Sequence, residues 1–160
     1  MRLFTAVAVA SSLLVIQAFA ESSSNVQDFA TKVAISDMFE VQTGNLAAKR
    51  GNAEVKSFGQ KMVKDHTKTT NELKKLATKA KVKLPAKMDD EHQKKLADLQ
   101  KTKGDEFNTT YARMQVEAHQ TAVQLFESYS KNGDNAEVKA WAAQTLPDLQ
   151  KHLEHAKSLK

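Results

Sequence analysis

The chain has 160 residues, a formal net charge of +5 and a hydrophobic fraction of 41%, and its length fits one domain with or without a processed segment. Because it contains no cysteine, it has no disulfide framework, no thiol nucleophile, no zinc–thiolate or iron–sulfur site and no lipid attached through cysteine. Five glycines and two prolines are too few for a loop-rich β-sandwich, and the apolar content is too high for a disordered chain.

The N-terminal segment, residues 1–20, has the pattern of a secretory signal peptide. Arg2 supplies a positive start, and an almost uncharged apolar run follows it. The small residues Ala18 and Ala20 suit signal peptidase, so we expect cleavage after Ala20 and a mature domain of residues 21–160. A retained membrane anchor is the alternative, but polar residues follow Ala20 at once. We therefore expect an exported protein that is periplasmic or secreted and has no transmembrane segment after cleavage.

Apolar residues spaced three and four apart predict five helices in the rest of the chain. The predicted helices are Val26–Arg50, 53–81, 89–101, 105–130 and 136–159. Gly51 is expected to end the first helix, Asn52 to cap the second, and Pro147 to kink the last. Tight turns define two αα-hairpins, and the connection from residue 82 to 104 is long enough for a crossover that carries the short helix. We predict an all-α fold, a four-helix bundle of two αα-hairpins.

A short internal repeat supports two related hairpins. The segment Asn-Ala-Glu-Val-Lys occurs at residues 52–56 and again at 135–139. Asn followed by Ala-Glu is also simply a good start for a helix, so the two copies can arise independently.

Ionisable side chains interrupt the apolar faces of four predicted helices at about the same level. The candidate residues are Glu40, Asp65, His66, His119, Asp148 and His152. Burying a lone carboxylate costs several kcal/mol, so these groups need each other, water or a cation. Histidine and carboxylate ligands from several helices are typical of iron, manganese, zinc or copper sites.

Two functions remain open for this layer. It can be a structural network in which Glu40 and Asp65 accept hydrogen bonds from the histidines and Tyr111, inside a non-catalytic bundle that binds an unknown protein or envelope partner. It can also hold a divalent metal ion in a metal-binding or metal-oxidising protein. From the sequence we favour the network, because buried polar groups are usually satisfied by other protein groups.

No catalytic motif is present, and no aromatic residues are interleaved with the lysines as in nucleic-acid-binding proteins.

Two stretches carry a resemblance to a known family. Residues 58–66 read Phe-Gly-Gln-Lys-Met-Val-Lys-Asp-His, and residues 146–153 read Leu-Pro-Asp-Leu-Gln-Lys-His-Leu. The chain resembles the bacterial "domain of unknown function 4142" family over essentially the whole mature region. The resemblance implies an exported ferritin-like four-helix protein, often labelled a predicted outer membrane protein, with no established role. The Glu-x-x-His pairs of ferritin-like di-iron proteins are missing here, which favours a histidine-rich mononuclear site over a ferroxidase centre.

Overall fold

The computed structural model describes residues 25–159, so the expected signal peptide lies outside the described part of the chain. The described residues form five helices and no strand: α1 (Val26–Arg50), α2 (Ala53–Ala80), α3 (Asp90–Lys101), α4 (Gly104–Asn132) and α5 (Ala136–Ser158). The all-α prediction is confirmed, and every predicted helix is present with its ends within two residues of the expected positions. Among these five helices, none has an apolar stretch long enough to cross a bilayer.

The repeated segment caps two helices in the same way. The Asn52 side chain accepts a hydrogen bond from the Val55 N–H at 3.0 Å, and the Asn135 side chain accepts one from the Val138 N–H at 3.1 Å. Each asparagine therefore satisfies one of the free N–H groups at its helix start. The expected end of α1 is also present, because the Gly51 N–H donates to the Ala47 carbonyl.

The helices pack in two neighbouring pairs. α1 lies along α2, and α4 lies along α5, while α1 also contacts α4 and the short α3 packs against α1 and α4. The α1–α2 pair approaches closely at two glycines. A Cβ atom added to Gly59 would lie 2.6 Å from the Ala47 Cβ and 2.8 Å from the Gly44 carbonyl oxygen, so only glycine fits at this crossing.

Two apolar clusters fill the interior. One contains Phe29 stacked on Tyr129, with ring centroids 4.0 Å apart, and the other contains Phe58, Phe107 and Tyr111. Both clusters receive side chains from the same four helices, α1, α2, α4 and α5. In each helix, one stretch contributes to the first cluster and another stretch to the second. His66, His119 and His152 lie between those two stretches on their helices, and Glu40 follows directly after Phe39, so these residues form a layer across the middle of the core.

Candidate metal centre

Four helices each bring one ionisable side chain into this middle layer. Glu40 comes from α1, His66 from α2, His119 from α4 and His152 from α5, and the exposed fraction of each residue is 4% or less. We call these four residues the polar layer. These four of the six candidate residues are therefore buried in the core.

The three histidines of the polar layer form a nearly equilateral triangle. Their ring centroids lie 5.6 Å apart for His66 and His119, 5.8 Å for His66 and His152, and 5.4 Å for His119 and His152. One ring nitrogen from each histidine lies within 4.8 Å of those of the other two. With metal–nitrogen bonds near 2.1 Å, two nitrogens on one ion are at most about 4.2 Å apart. Side-chain shifts of less than an ångström would thus bring the three into coordination distance.

Each histidine is held by its outer ring nitrogen. The His66 Nδ1–H donates to Asp37 Oδ1 at 2.8 Å, the His119 Nδ1–H donates to the Gln115 carbonyl at 2.9 Å, and the His152 Nε2–H donates to Asp65 Oδ2 at 2.9 Å. Carboxylates and carbonyls can only accept, so we assign the proton of each neutral ring to its outer nitrogen. For His152 this assignment takes Lys61 Nζ, which lies 3.2 Å from Nε2, as a donor to Asp65 and not to the ring. The inner nitrogen of each neutral ring is then an acceptor, which is the arrangement found in histidines that bind metals.

The inner atoms of the layer have no hydrogen-bond partner among residues 25–159. The unpartnered buried atoms are His66 Nε2, His119 Nε2, His152 Nδ1, both carboxylate oxygens of Glu40, the Tyr111 hydroxyl and Gln115 Oε1. The nearest ring nitrogen to Glu40 is His119 Nδ1, at 4.0 Å from Oε1, and that nitrogen already donates to Gln115. Buried polar groups are rarely left in this condition.

Burial also shifts the pKa values of the three histidines. It lowers the pKa of His119 to about 3, helped by the charge of His66, and it lowers the pKa of His152 to about 4, helped by the charges of His119, His66 and Lys61. Both rings are therefore neutral near pH 7. Burial alone would also lower the pKa of His66, but the hydrogen bond to Asp37 and the charge of Glu40 outweigh it and raise the value.

Burial has the opposite effect on two acidic groups, the Glu40 carboxyl and the Tyr111 hydroxyl. It raises the pKa of the Glu40 carboxyl, against the charge of His66, and it raises the pKa of the Tyr111 hydroxyl, with a further contribution from Glu40. A cation placed between these groups would stabilise the ionised carboxylate.

The two predicted aspartates differ in their placement. Asp65 lies at the edge of the layer, where it accepts from His152 and pairs with Lys61, whose Nζ is 3.2 Å from His152 Nε2. Asp148 has a side chain that is 65% exposed and pairs with Lys151 at 2.9 Å. It therefore lies outside the buried layer, although both aspartates line a cleft of about 300 Å³ between α2 and α5 that reaches His66 and His152.

Asp37 is a member of the site that the sequence analysis did not identify. It is 3% exposed, and besides His66 its carboxylate accepts from Thr69 Oγ1 at 3.1 and 3.0 Å and from Thr70 Oγ1 at 3.1 Å. Asp37 lies three residues before Glu40, so it is on the same face of α1, one turn away. This spacing is the sequence feature from which Asp37 could have been identified.

Comparisons with known proteins give a family but no characterised relative. No curated protein and no solved structure matches the chain. A family model described as "Domain of unknown function (DUF4142)" matches residues 15–159. The chain belongs to this family.

Proposed function

We propose that this protein binds one transition-metal ion in the polar layer. His66, His119 and His152 would supply three nitrogen ligands. Glu40 lies in the same layer but outside the group of nitrogens within 4.8 Å of one another, so its carboxylate would have to move inward to supply a fourth ligand. The observation that carries this proposal is the set of unpartnered inner atoms, which are three imidazole nitrogens and two carboxylate oxygens.

The hydrogen-bond chemistry favours a cation over a purely structural network. With neutral rings whose outer nitrogens donate to Asp37, Gln115 and Asp65, and with an ionised Glu40, every inner atom of the four ligands is an acceptor, and acceptors cannot satisfy one another. Leaving one such buried group unsatisfied costs about 1–3 kcal/mol. A network accounts for the outer contacts of the histidines, but it leaves the three inner ring nitrogens without a hydrogen-bond partner.

The ligand set narrows the choice of metal. Imidazole suits zinc, copper and iron, and a carboxylate also accepts manganese. A single carboxylate among the four inner ligands disfavours a dinuclear ferroxidase centre, which uses a carboxylate from each of several helices. We therefore propose a mononuclear site for iron, manganese, zinc or copper, with Asp37 and Asp65 orienting two of the histidines.

The architecture that we propose around this site is a ferritin-like four-helix bundle. The pairs α1–α2 and α4–α5 are the two hairpins, and the connection that carries α3 links them. The apolar run and the Ala18-x-Ala20 pattern support export to the periplasm or secretion. The proposed role is metal binding by an exported protein, and the structural network is the alternative that the following experiment tests.

The test is metal analysis and thermal unfolding of protein purified without a histidine tag. We expect one ion per chain, and we expect at least one of Zn²⁺, Mn²⁺, Fe²⁺ and Cu²⁺ to raise the melting temperature of the metal-free protein. A ligand at about a hundredfold excess over its dissociation constant adds ~2.7 kcal/mol to the free energy of unfolding. The substitutions His66→Leu and Glu40→Gln should reduce or abolish this shift.

The exposed His155 provides the matched control, because it lies outside the layer on α5. His155→Leu should keep the full metal-dependent shift. If the unsubstituted protein binds no ion and shows no shift with any of the four metals, metal binding is wrong. If His66→Leu destabilises the fold but leaves metal binding unchanged, the layer is a structural network.

A further inference from the structure

A second cavity reaches His66 from another side of the molecule. It lies between α1 and α4, has a volume of about 430 Å³, and is separate from the cleft between α2 and α5. Cavities of this size commonly hold small organic molecules. His66 is therefore shared between the polar layer and a space large enough for a ligand.

The walls of this cavity are mainly apolar. Val33 and Ile35 of α1 and Leu125 and Phe126 of α4 line it. Room is left between the two helices because Ser36, Ala118 and Ala122, which also line the cavity, have short side chains. Ile35, Leu125 and Ala122 remain partly exposed, so an apolar molecule entering here would remove hydrocarbon surface from water.

The charged groups of the cavity lie at its rim. Asp89 caps α3, and its Oδ1 accepts from the His92 N–H at 2.9 Å and lies 2.7 Å from His92 Nδ1, so this carboxylate is already engaged by hydrogen bonds. Lys32 is exposed and forms no ion pair with any of residues 25–159. The rim therefore offers the Lys32 ammonium, which no described acidic side chain pairs with, to a ligand.

The inner end of the cavity is unsuited to a negative group. His66 is hydrogen-bonded to the buried Asp37, and the buried Glu40 lies in the same layer. A third carboxylate beside these two would meet like charges where water does not screen them. An anionic ligand must therefore keep its charge at the rim and direct its apolar part inward.

We propose that the cavity between α1 and α4 binds an unbranched apolar monocarboxylate of about eight to twelve carbons, a size that suits a cavity of this volume. The carboxylate lies beside Lys32, and the hydrocarbon chain extends between the helices towards His66. This site goes beyond the proposed metal binding and does not require it, because the metal-free protein already contains the cavity.

The experiment is a calorimetric titration of metal-free protein with decanoate. We expect saturable binding of one molecule per chain. Acetate, which has the head group alone, should not bind, and decyltrimethylammonium, which has the same chain and the opposite charge, should bind more weakly. Lys32→Glu should weaken decanoate binding by about fivefold or more, whereas Lys49→Glu, an exposed position on the same helix, should leave it unchanged.

Two substitutions that fill the cavity complete the test. Ala122→Leu and Ser36→Leu place larger side chains in it from opposite walls, and either one should abolish decanoate binding in a protein that still melts cooperatively. The proposal is wrong if decanoate does not bind saturably, if decyltrimethylammonium binds as tightly, or if binding survives both filling substitutions. Each of these outcomes is independent of metal loading, so failure here is distinguishable from failure of the metal proposal.

Discussion

The histidines of the polar layer owe their orientation to three different acceptors. His66 donates to a buried aspartate, His119 to a backbone carbonyl one turn earlier in its own helix, and His152 to a partly exposed aspartate. Rings held in this way lose little rotational freedom when they bind an ion, because their tautomers and directions are already set. The three acceptors belong to three different helices, so the site depends on the tertiary fold rather than on one local motif.

The depressed pKa values of two histidines predict how the metal-free protein responds to acid. The folded-state pKa values of His119, about 3, and His152, about 4, are below the ordinary value of 6.5. As the pH falls below 6.5, the unfolded chain takes up protons that the folded chain does not, so stability falls by up to about 1.4 kcal/mol per pH unit for each histidine. His66 acts in the opposite sense, because its pKa is raised in the folded state. Its contribution to stability is fully present below pH 6.5 and is lost as the pH rises through its folded-state pKa.

Urea unfolding between pH 6.5 and 5 in the presence of a chelator measures this slope. We expect the free energy of unfolding to decrease with falling pH, and we expect His119→Gln to reduce the slope. His155→Gln, at an exposed histidine, should leave the slope unchanged. An identical slope in His119→Gln and in the unsubstituted protein would show that His119 is not held neutral in the folded state.

At the scale of helices, the tight crossing of α1 and α2 sets the position of His66 relative to Glu40. Gly44 and Gly59 allow the two backbones to approach closely, and the polar layer begins about two turns from this crossing on α2. A wider separation of these helices would move Glu40 away from His66. The glycines therefore contribute to the geometry of the site without touching it.

We expect Gly59→Ala to destabilise the protein by about 1–3 kcal/mol, because the new methyl group would overlap Ala47 and the Gly44 carbonyl. The melting temperature should fall by several degrees. Ser57→Ala, at an exposed position on the same helix, should be close to neutral. A Gly59→Ala protein as stable as the Ser57→Ala protein would mean that α1 and α2 do not approach as closely as described.

The helices were predictable from sequence because their apolar residues keep a clear period and three of them start at an Asn cap. The inward positions of Glu40, His66, His119 and His152 followed from the same period. Asp37 was missed, and Asp148 was grouped with Asp65, because a single turn of helix decides which carboxylate faces a neighbouring helix and which faces water. The cavity between α1 and α4 was not predictable either, since short side chains such as Ala118 and Ala122 are equally compatible with close helix packing.

At the scale of the whole molecule, the polar layer divides one hydrophobic interior into two clusters. The Phe29 cluster and the Phe58 cluster lie on opposite sides of it, so four helices must be brought into register for the layer to form. A cation held there would link all four helices through one centre. With neutral imidazoles and an ionised Glu40, the same layer without a cation leaves acceptor atoms facing one another. For this reason metal binding is the central claim.

The most direct measurement of that claim is an anomalous-scattering map from crystals of the tag-free protein grown with the best-bound metal. We expect one strong peak per chain, within about 2.0–2.3 Å of His66 Nε2, His119 Nε2 and His152 Nδ1 and of a Glu40 oxygen. A map with no peak in the polar layer, and with ordered water or direct hydrogen bonds satisfying these atoms instead, would contradict the account.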